Sequence, residues 1–209
     1  MKTGAFHSTL ARRAGIALLA LTLGCSTPGS RISPLMTRLG ADAHTPVPLY
    51  GRAVVVFIRP TEDSSMTQST VYEITQAGDR FVGVVSGSSR VAYMTQAGSR
   101  MFMVVGEAAD FMYAELAEGK TYYVHVEPRI GWWKSRFSLI PVRRPQIESP
   151  EFQKWDSVEL LAPGPDCEQW VRDNVNSIVE KRRQYLPEWY KKTEYDRRKA
   201  GLHVEDGYP

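Results

Sequence analysis

The chain contains few cysteines and histidines, the residues most often used in transition-metal and redox sites. Among 209 residues there are two cysteines and four histidines, and none of them is grouped at the spacing of a metal site. The sequence also has no phosphate-binding glycine loop and no dinucleotide fingerprint. It therefore predicts no bound metal and no cofactor.

An apolar run long enough to cross a bilayer, about 20 residues, is absent as well. The longest run, Ala14–Leu23, is about half that length and is interrupted by a glycine and a threonine. Lys2, Arg12 and Arg13 precede it. A short apolar run behind basic residues is typical of a secretory signal peptide, so we predict export.

The segment Leu21–Cys25 (LTLGC) resembles the lipobox of bacterial lipoproteins. The resemblance implies that residues 1–24 are a signal peptide and that Cys25 is lipidated. Two or more acyl chains anchor a protein stably to a membrane. Ser26 follows the cysteine, which by analogy implies the outer membrane, with the protein facing the periplasm. An ordinary cleaved signal followed by an incidental cysteine is the alternative.

The positive charge of the chain belongs to this signal. Three of the 26 Lys and Arg residues lie in residues 1–24, which contain no acid, and the remaining 23 are matched by 23 Asp and Glu. A neutral mature chain does not have the basic excess of a nucleic-acid-binding protein. We therefore predict no nucleic-acid partner.

Residues 25–50 are rich in Ser, Thr, Pro and Gly and predict a flexible tether. Residues 51–142 alternate short apolar runs with turn residues, which is typical of an all-β domain. The predicted strands are Ala53–Arg59, Thr70–Thr75, Phe81–Ser86, Arg90–Met94, Met101–Val105, Phe111–Leu116, Tyr122–Glu127 and Phe137–Val142. The predicted fold is mainly β, an antiparallel β-sandwich of about eight strands. Its central strand is Ala53–Arg59, which is apolar at nearly every position.

Residues 143–209 predict a proline-rich linker followed by a C-terminal helical arm. Asp166 stands at the start of the helical pattern, and Pro187 predicts either its end or the start of a second helix. The apolar stripe of the first helix consists of Val171, Val175 and Ile178. The tail, residues 202–209, is expected to be loosely ordered.

A short internal repeat occurs inside the β region. Thr75–Arg80 (TQAGDR) returns twenty residues later as Thr95–Arg100 (TQAGSR), and an apolar strand follows each copy. The pattern favours a turn that is used twice. A duplicated ligand site is the alternative.

Residues 52–142 resemble a family of small bacterial lipoprotein domains of unknown function with an immunoglobulin-like or PEGA-like β-sandwich. The resemblance rests on four stretches: VVVFIRP (Val54–Pro60), AGSRMFMV (Ala97–Val104), AELAEGKTYYVHV (Ala114–Val126) and RFSLIPV (Arg136–Val142). It implies a fold and an envelope location, and no established reaction.

Two groups of aromatic residues are candidates for binding. Trp132 and Trp133 lie between two predicted strands, where they can stack on a sugar, contact a partner protein or close the end of the core. Trp189 and Tyr190 lie among basic residues of the helical arm, a composition enriched at protein–protein contacts.

The sequence supports a catalytic site less well than a binding site. His125 lies within a predicted strand, and Cys167 lies near a helix N-terminus with no histidine close in sequence. Without a paired nucleophile and base, the sequence predicts a non-enzymatic, lipid-anchored envelope protein that binds a protein partner. A glycan- or peptidoglycan-binding module that uses Trp132 and Trp133 is one alternative. A hydrolase whose site is not visible in the sequence is another.

Overall fold

The part of the chain that the structure describes is mainly β and contains two sheets. The structure, a computed structural model, describes residues 32–40, 42–61, 68–130 and 135–209. The strands are β1 Met36–Arg38, β2 Arg52–Arg59, β3 Ser69–Thr75, β4 Gly78–Val85, β5 Ser89–Gln96, β6 Gly98–Val105, β7 Ala109–Leu116, β8 Thr121–Ile130, β9 Ser135–Pro141 and β10 Glu159–Pro163. All eight strands predicted from the sequence are present.

The six-stranded sheet, sheet A, has the order β1-β10-β5-β2-β8-β9, and the four-stranded sheet, sheet B, has the order β4-β3-β6-β7. Most neighbours are antiparallel, but β10 pairs with β5, and β2 with β8, in parallel. Apolar residues from both sheets form one buried cluster, which includes Val55, Phe57, Val71, Phe102 and Met112. The predicted β-sandwich followed by a C-terminal helix is confirmed.

Strand β2 is central, as its apolar sequence predicts. It lies between β5 and β8, and every residue from Ala53 to Arg59 is buried. Val55 and Phe57 face sheet B, while Val54 and Val56 face the other way into a second apolar cluster. Both faces of sheet A are therefore covered near its centre.

Two short strands outside residues 51–142 extend sheet A. Strand β1 falls in the predicted tether and β10 in the predicted linker, and the two pair with each other at the sheet edge. Met36 is buried between the sheets, and Leu161 is almost inaccessible to solvent. These two side chains bury apolar area, which explains why segments of low strand propensity are ordered.

Helices cover the outer faces of both sheets. They are α1 Arg144–Ile147, α2 Pro150–Asp156, α3 Cys167–Tyr190 and α4 Glu194–Lys199, followed by a short 3-10 turn at Val204–Asp206. Ile147 and Phe152 join the apolar cluster on sheet A, and the Phe152 ring lies 4.7 Å from that of Tyr123. Ile178 and Trp189 of α3 join the cluster on sheet B.

The face of α3 that contacts sheet B is shifted by about one residue from the predicted stripe. Trp170 and Ile178 point at the sheet, whereas Val175 is 47% exposed. Arg182, which interrupts the apolar pattern, forms an ion pair with Asp79, the second residue of β4. A polar residue therefore occupies a contact position because the sheet offers it a carboxylate.

Two further expectations about the C-terminus are wrong. Helix α3 continues through Pro187 to Tyr190 because the next turn is held on the sheet by Trp189, which is 5% exposed. The tail is fixed: Leu202 is buried and bridges to Ala114, and Asp206 pairs with Arg143. Burial of Leu202 and pairing of Asp206 offset the loss of chain entropy.

Candidate functional site

A polar cavity of about 760 Å³ opens at one end of the sandwich, where β2 and β6 begin and β3 and β5 end. Three arginines, Arg52, Arg80 and Arg100, line it, together with Glu73. We call it the arginine cleft. It also includes Ile74 and other residues of the outer face of sheet B, so it curves around the end of that sheet.

Both copies of the internal repeat line this cleft, although they have different places in the fold. Thr75–Arg80 forms the hairpin turn between β3 and β4, whereas Thr95–Arg100 carries the chain from β5 in sheet A to β6 in sheet B. Gly78 and Gly98 have φ angles of 127° and 98°. Residues other than glycine rarely adopt φ angles in this range, which explains why both copies have glycine at this position.

Corresponding threonines in the two copies have different roles. The Thr75 hydroxyl donates to the carbonyl of Gly78 at 2.7 Å and closes its own turn. The Thr95 hydroxyl instead donates to the Glu73 carboxylate at 2.8 Å. The repeat therefore provides two similar turns, and together they form a single cleft.

Glu73 is the buried acid of the cleft. It lies on the inner face of β3 with 2% of its surface exposed. Its carboxylate accepts a hydrogen bond from the Tyr93 hydroxyl at 2.7 Å and one from Thr95. Because Tyr93 and Thr95 belong to β5, these bonds connect sheet B to sheet A. A buried carboxylate with two hydroxyl donors is well satisfied.

Two arginines flank Glu73 without hydrogen-bonding to it. The Nη1 atom of Arg80 lies 3.7 Å from Oε2, and the Nε atom of Arg100 lies 3.6 Å from Oε1. These distances allow ion pairing but exceed those of hydrogen bonds. The Arg80 side chain is 61% exposed and that of Arg100 is 26% exposed. Both guanidinium groups therefore reach the surface of the cleft.

The backbone positions Arg100. Its Nε atom donates to the carbonyl of Gln96 and its Nη2 atom to that of Ala97, each at 2.9 Å. A guanidinium held this way has lost much of its conformational freedom before a ligand arrives, so less entropy is lost on binding.

Tyr93 is a hydrogen-bond donor at neutral pH. Burial raises the pKa of its phenol to about 12, and the hydrogen bond to Glu73 acts in the same direction. A hydrogen bond with Tyr93 also raises the pKa of Arg80. The Tyr93 phenol and the Arg80 guanidinium consequently stay protonated together.

The charges lining the cleft leave a positive excess. Arg52, Arg80 and Arg100 contribute three positive charges, and Glu73 contributes the one negative charge among the lining residues. Guanidinium groups form paired hydrogen bonds with carboxylates and phosphates. The arrangement is suited to binding an anionic group.

The candidate nucleophile and base lie outside the cleft. His125 is half-buried beside Trp155, with 5.1 Å between ring centroids, and burial lowers its pKa. Cys167 is buried and unpaired, and its thiol donates to the carbonyl of Leu35 at 2.8 Å. Burial raises the pKa of this thiol, so it is not activated. The described ranges contain no group of three potential metal ligands.

The predicted aromatic binding residues differ in burial, and two of them lie outside the described residues. Trp189 packs against sheet B: the centroid of its ring lies 4.9 Å from that of Tyr113 and 6.0 Å from that of Phe111 on β7, and 5% of its surface is exposed. Its contact with a partner stays a prediction. Tyr190 remains 46% exposed, and its hydroxyl is hydrogen-bonded to that of Tyr113 at 3.2 Å. Cys25, Trp132 and Trp133 lie outside the described residues.

Sequence reasoning missed Glu73 and Tyr93. A signal for Glu73 was present, since an acid in the strand sequence STVYEIT shares its face with the buried Val71. Tyr93 gave no such signal, because an aromatic residue in a strand is ordinary. Only the closeness of β3 and β5 relates the two residues.

In the part of the chain that the structure describes, no helix is both long enough and apolar enough to cross a membrane. Comparison with protein-family models finds no match, and comparison with curated proteins finds none either.

Proposed function

We propose that this chain is a lipid-anchored envelope protein with a non-enzymatic binding role, and that the arginine cleft is its ligand site. In this proposal the lipid is attached to Cys25, and the protein faces the periplasm from the outer membrane. The β-sandwich agrees with the fold implied by the resemblance to small lipoprotein domains.

One observation carries the binding role. Two arginines from the repeated turns, Arg80 and Arg100, lie on either side of one buried carboxylate at the mouth of a large cleft. Glu73 holds them near each other and offsets part of their mutual repulsion. An acidic group of a ligand or partner protein would bind between them and neutralise the remaining charge.

The anchor is tested by replacing Cys25 with Ala and fractionating cells. We expect the parent in the membrane pellet and the variant in the soluble envelope fraction. A Cys25→Ala protein that stays in the pellet as firmly as the parent would refute the anchor.

The cleft is tested by thermal unfolding of the full-length protein in phosphate and in chloride at equal ionic strength. At ten times the dissociation constant, phosphate should stabilise the parent by about 1.4 kcal/mol, or ~3–6 °C. Arg80→Gln should lose this gain because it removes an exposed guanidinium from the cleft.

The matched control is Arg183→Gln on α3, where the arginine is 76% exposed and pairs with Glu180. This variant should respond to phosphate like the parent. If Arg80→Gln and Arg183→Gln are both stabilised like the parent, the cleft is not the anion site.

A further inference from the structure

The arginine cleft continues into a second compartment of about 440 Å³. This compartment lies on the outer side of β7, against α4 and the chain that follows it. Ser99 and Tyr113 line both cavities. The two compartments therefore adjoin at these two residues, and we call the pair the groove. It extends from the opening between the sheets, past the start of β6, to the outer face of sheet B.

The second compartment has a different charge character from the first. Glu194 and Arg198, on α4, lie 3.7 Å apart and offset each other. Arg197, also on α4, contacts the C-terminal end of α3: Nη1 donates to the carbonyl of Tyr190 at 2.8 Å, and the guanidinium lies over the Tyr190 ring at 5.2 Å.

Glu115 is the acid closest to the boundary between the two compartments. Its carboxylate is exposed and accepts one hydrogen bond from the Ser99 hydroxyl, whose oxygen lies 2.9 Å from Oε2 and 3.0 Å from Oε1. This neutral donor does not neutralise the charge of Glu115. The groove thus has guanidinium groups at one end and a solvated carboxylate beyond Tyr113.

The neutral lining between the charged groups has the chemistry of amide recognition. Gln76 and Gln96 line the arginine cleft, and a carboxamide can both donate to and accept from a peptide bond. Tyr113 adds an aromatic wall shared by the two compartments. An anionic glycan or a polyphosphate would bring negative charge to Glu115, whereas a peptide can place a cation there.

We propose that this groove binds a short peptide, with a free carboxylate between Arg80 and Arg100 and an ammonium group at Glu115. The inference rests on the proposed function of the arginine cleft. Ser99 pairs with Glu115 across β6 and β7 and precedes Arg100, whose side chain points to the opposite face of the sheet. A separation on the order of 10 Å follows, which three extended residues span.

The test uses three tripeptides and calorimetric titration of the full-length protein. The first is acetyl-Lys-Ala-Ala with a free carboxylate, the second is its C-terminal amide, and the third carries norleucine in place of lysine. Loss of a charge-assisted contact should weaken binding of the amide by about tenfold or more. Loss of the exposed ion pair should weaken binding of the norleucine peptide by about two- to fivefold.

Variants assign each end of the peptide. Arg80→Gln should narrow the difference in affinity between the acid and the amide, because only Arg100 of the two flanking arginines remains, and Glu115→Gln should bind the lysine and norleucine peptides equally. Glu118→Gln, an exposed acid in the turn after β7, is the matched control and should behave like the parent.

Binding of the amide as tightly as the acid would overturn the peptide orientation, and so would tighter binding of trigalacturonate than of acetyl-Lys-Ala-Ala. These outcomes are separable from failure of the cleft itself. If phosphate still stabilises the parent and not Arg80→Gln, the anion site stands while the peptide proposal falls. If phosphate stabilises both equally, the proposed function fails as well.

Discussion

The ion pair between Arg182 of α3 and Asp79 near the start of β4 allows a direct measurement of what holds the helix on sheet B. Asp79 is nearly buried, with 4% of its side chain exposed, and Arg182 is 28% exposed. Replacing Arg182 with Met keeps an unbranched apolar stem of similar length and removes the charge. The carboxylate of Asp79 then remains in a poorly solvated position without its partner.

The burial of Asp79 determines how much stability the substitution of Arg182 should cost. Removing one partner of a buried ion pair costs about 3–5 kcal/mol because the remaining charge is uncompensated. Arg182 is partly exposed, so water can replace some of its interaction, and we expect a loss of about 2–3 kcal/mol in the free energy of unfolding. For a domain of this size the loss corresponds to a melting temperature lower by ~5–10 °C.

The pH dependence identifies the cause. Burial raises the pKa of Asp79 above its ordinary value, and Arg182 lowers it again in part. In Arg182→Met this lowering is lost, so the folded-state pKa rises further above the unfolded one. An ionised group with a raised folded pKa destabilises the fold above that pKa and ceases to do so below the unfolded pKa. The free energy of unfolding that Arg182→Met loses relative to the parent should therefore become smaller as the pH falls from 7 towards 4.

Chemical denaturation of the parent and variants at pH 7 and pH 5 measures these quantities. Adding Asp79→Asn to Arg182→Met removes the unpaired charge and should restore most of the loss. Arg183→Met, one residue along the helix but exposed and paired with Glu180, should leave the unfolding midpoint unchanged. The reasoning is refuted if Arg182→Met behaves like Arg183→Met, or if its deficit is independent of pH.

Two further predictions concern α3. Trp189→Ala should lower the free energy of unfolding, measured by chemical denaturation, by about 3–5 kcal/mol, because it opens a cavity against Tyr113. Tyr190→Ala, at an exposed position, should cost much less, and equal losses would contradict the packing role of Trp189. Cys167 should resist iodoacetamide in the native protein and react on unfolding, since burial raises its pKa and covers the thiol; rapid labelling of the native protein, followed by mass spectrometry, would contradict this.

Local pattern was sufficient for the strands of the sandwich. Apolar runs bounded by turn residues located β2 to β9 to within a few residues, because a strand between two apolar layers must be apolar along its length or on alternate positions. The central place of β2 followed from its unbroken apolar run. Glycine at the same position of both TQAG copies indicated a turn at each place, because glycine readily adopts the positive φ angles that tight turns require.

Short strands and long-range anchors were not accessible in this way. Three residues of β1 and five of β10 carry little signal, and their order comes from the sheet edge and from the burial of Met36 and Leu161. Helix α3 passes through Pro187 because Trp189 is anchored on β7, and Leu202 fixes a tail of polar composition. In each case a contact distant in sequence outweighs a local propensity.

The candidate site was likewise predictable from the sequence only in part. The sequence by itself determined that two TQAG turns exist, that each is followed by an arginine, and that an acid interrupts the apolar strand β3. Only the tertiary structure decided that both arginines flank Glu73 and that Tyr93 and Thr95 satisfy its carboxylate. Glu73 belongs to sheet B and its two donors to sheet A, so the site exists only once the sheets face each other. Strand patterns specify which face a side chain occupies, but the partner across the sandwich depends on strand order and register, which local sequence does not encode.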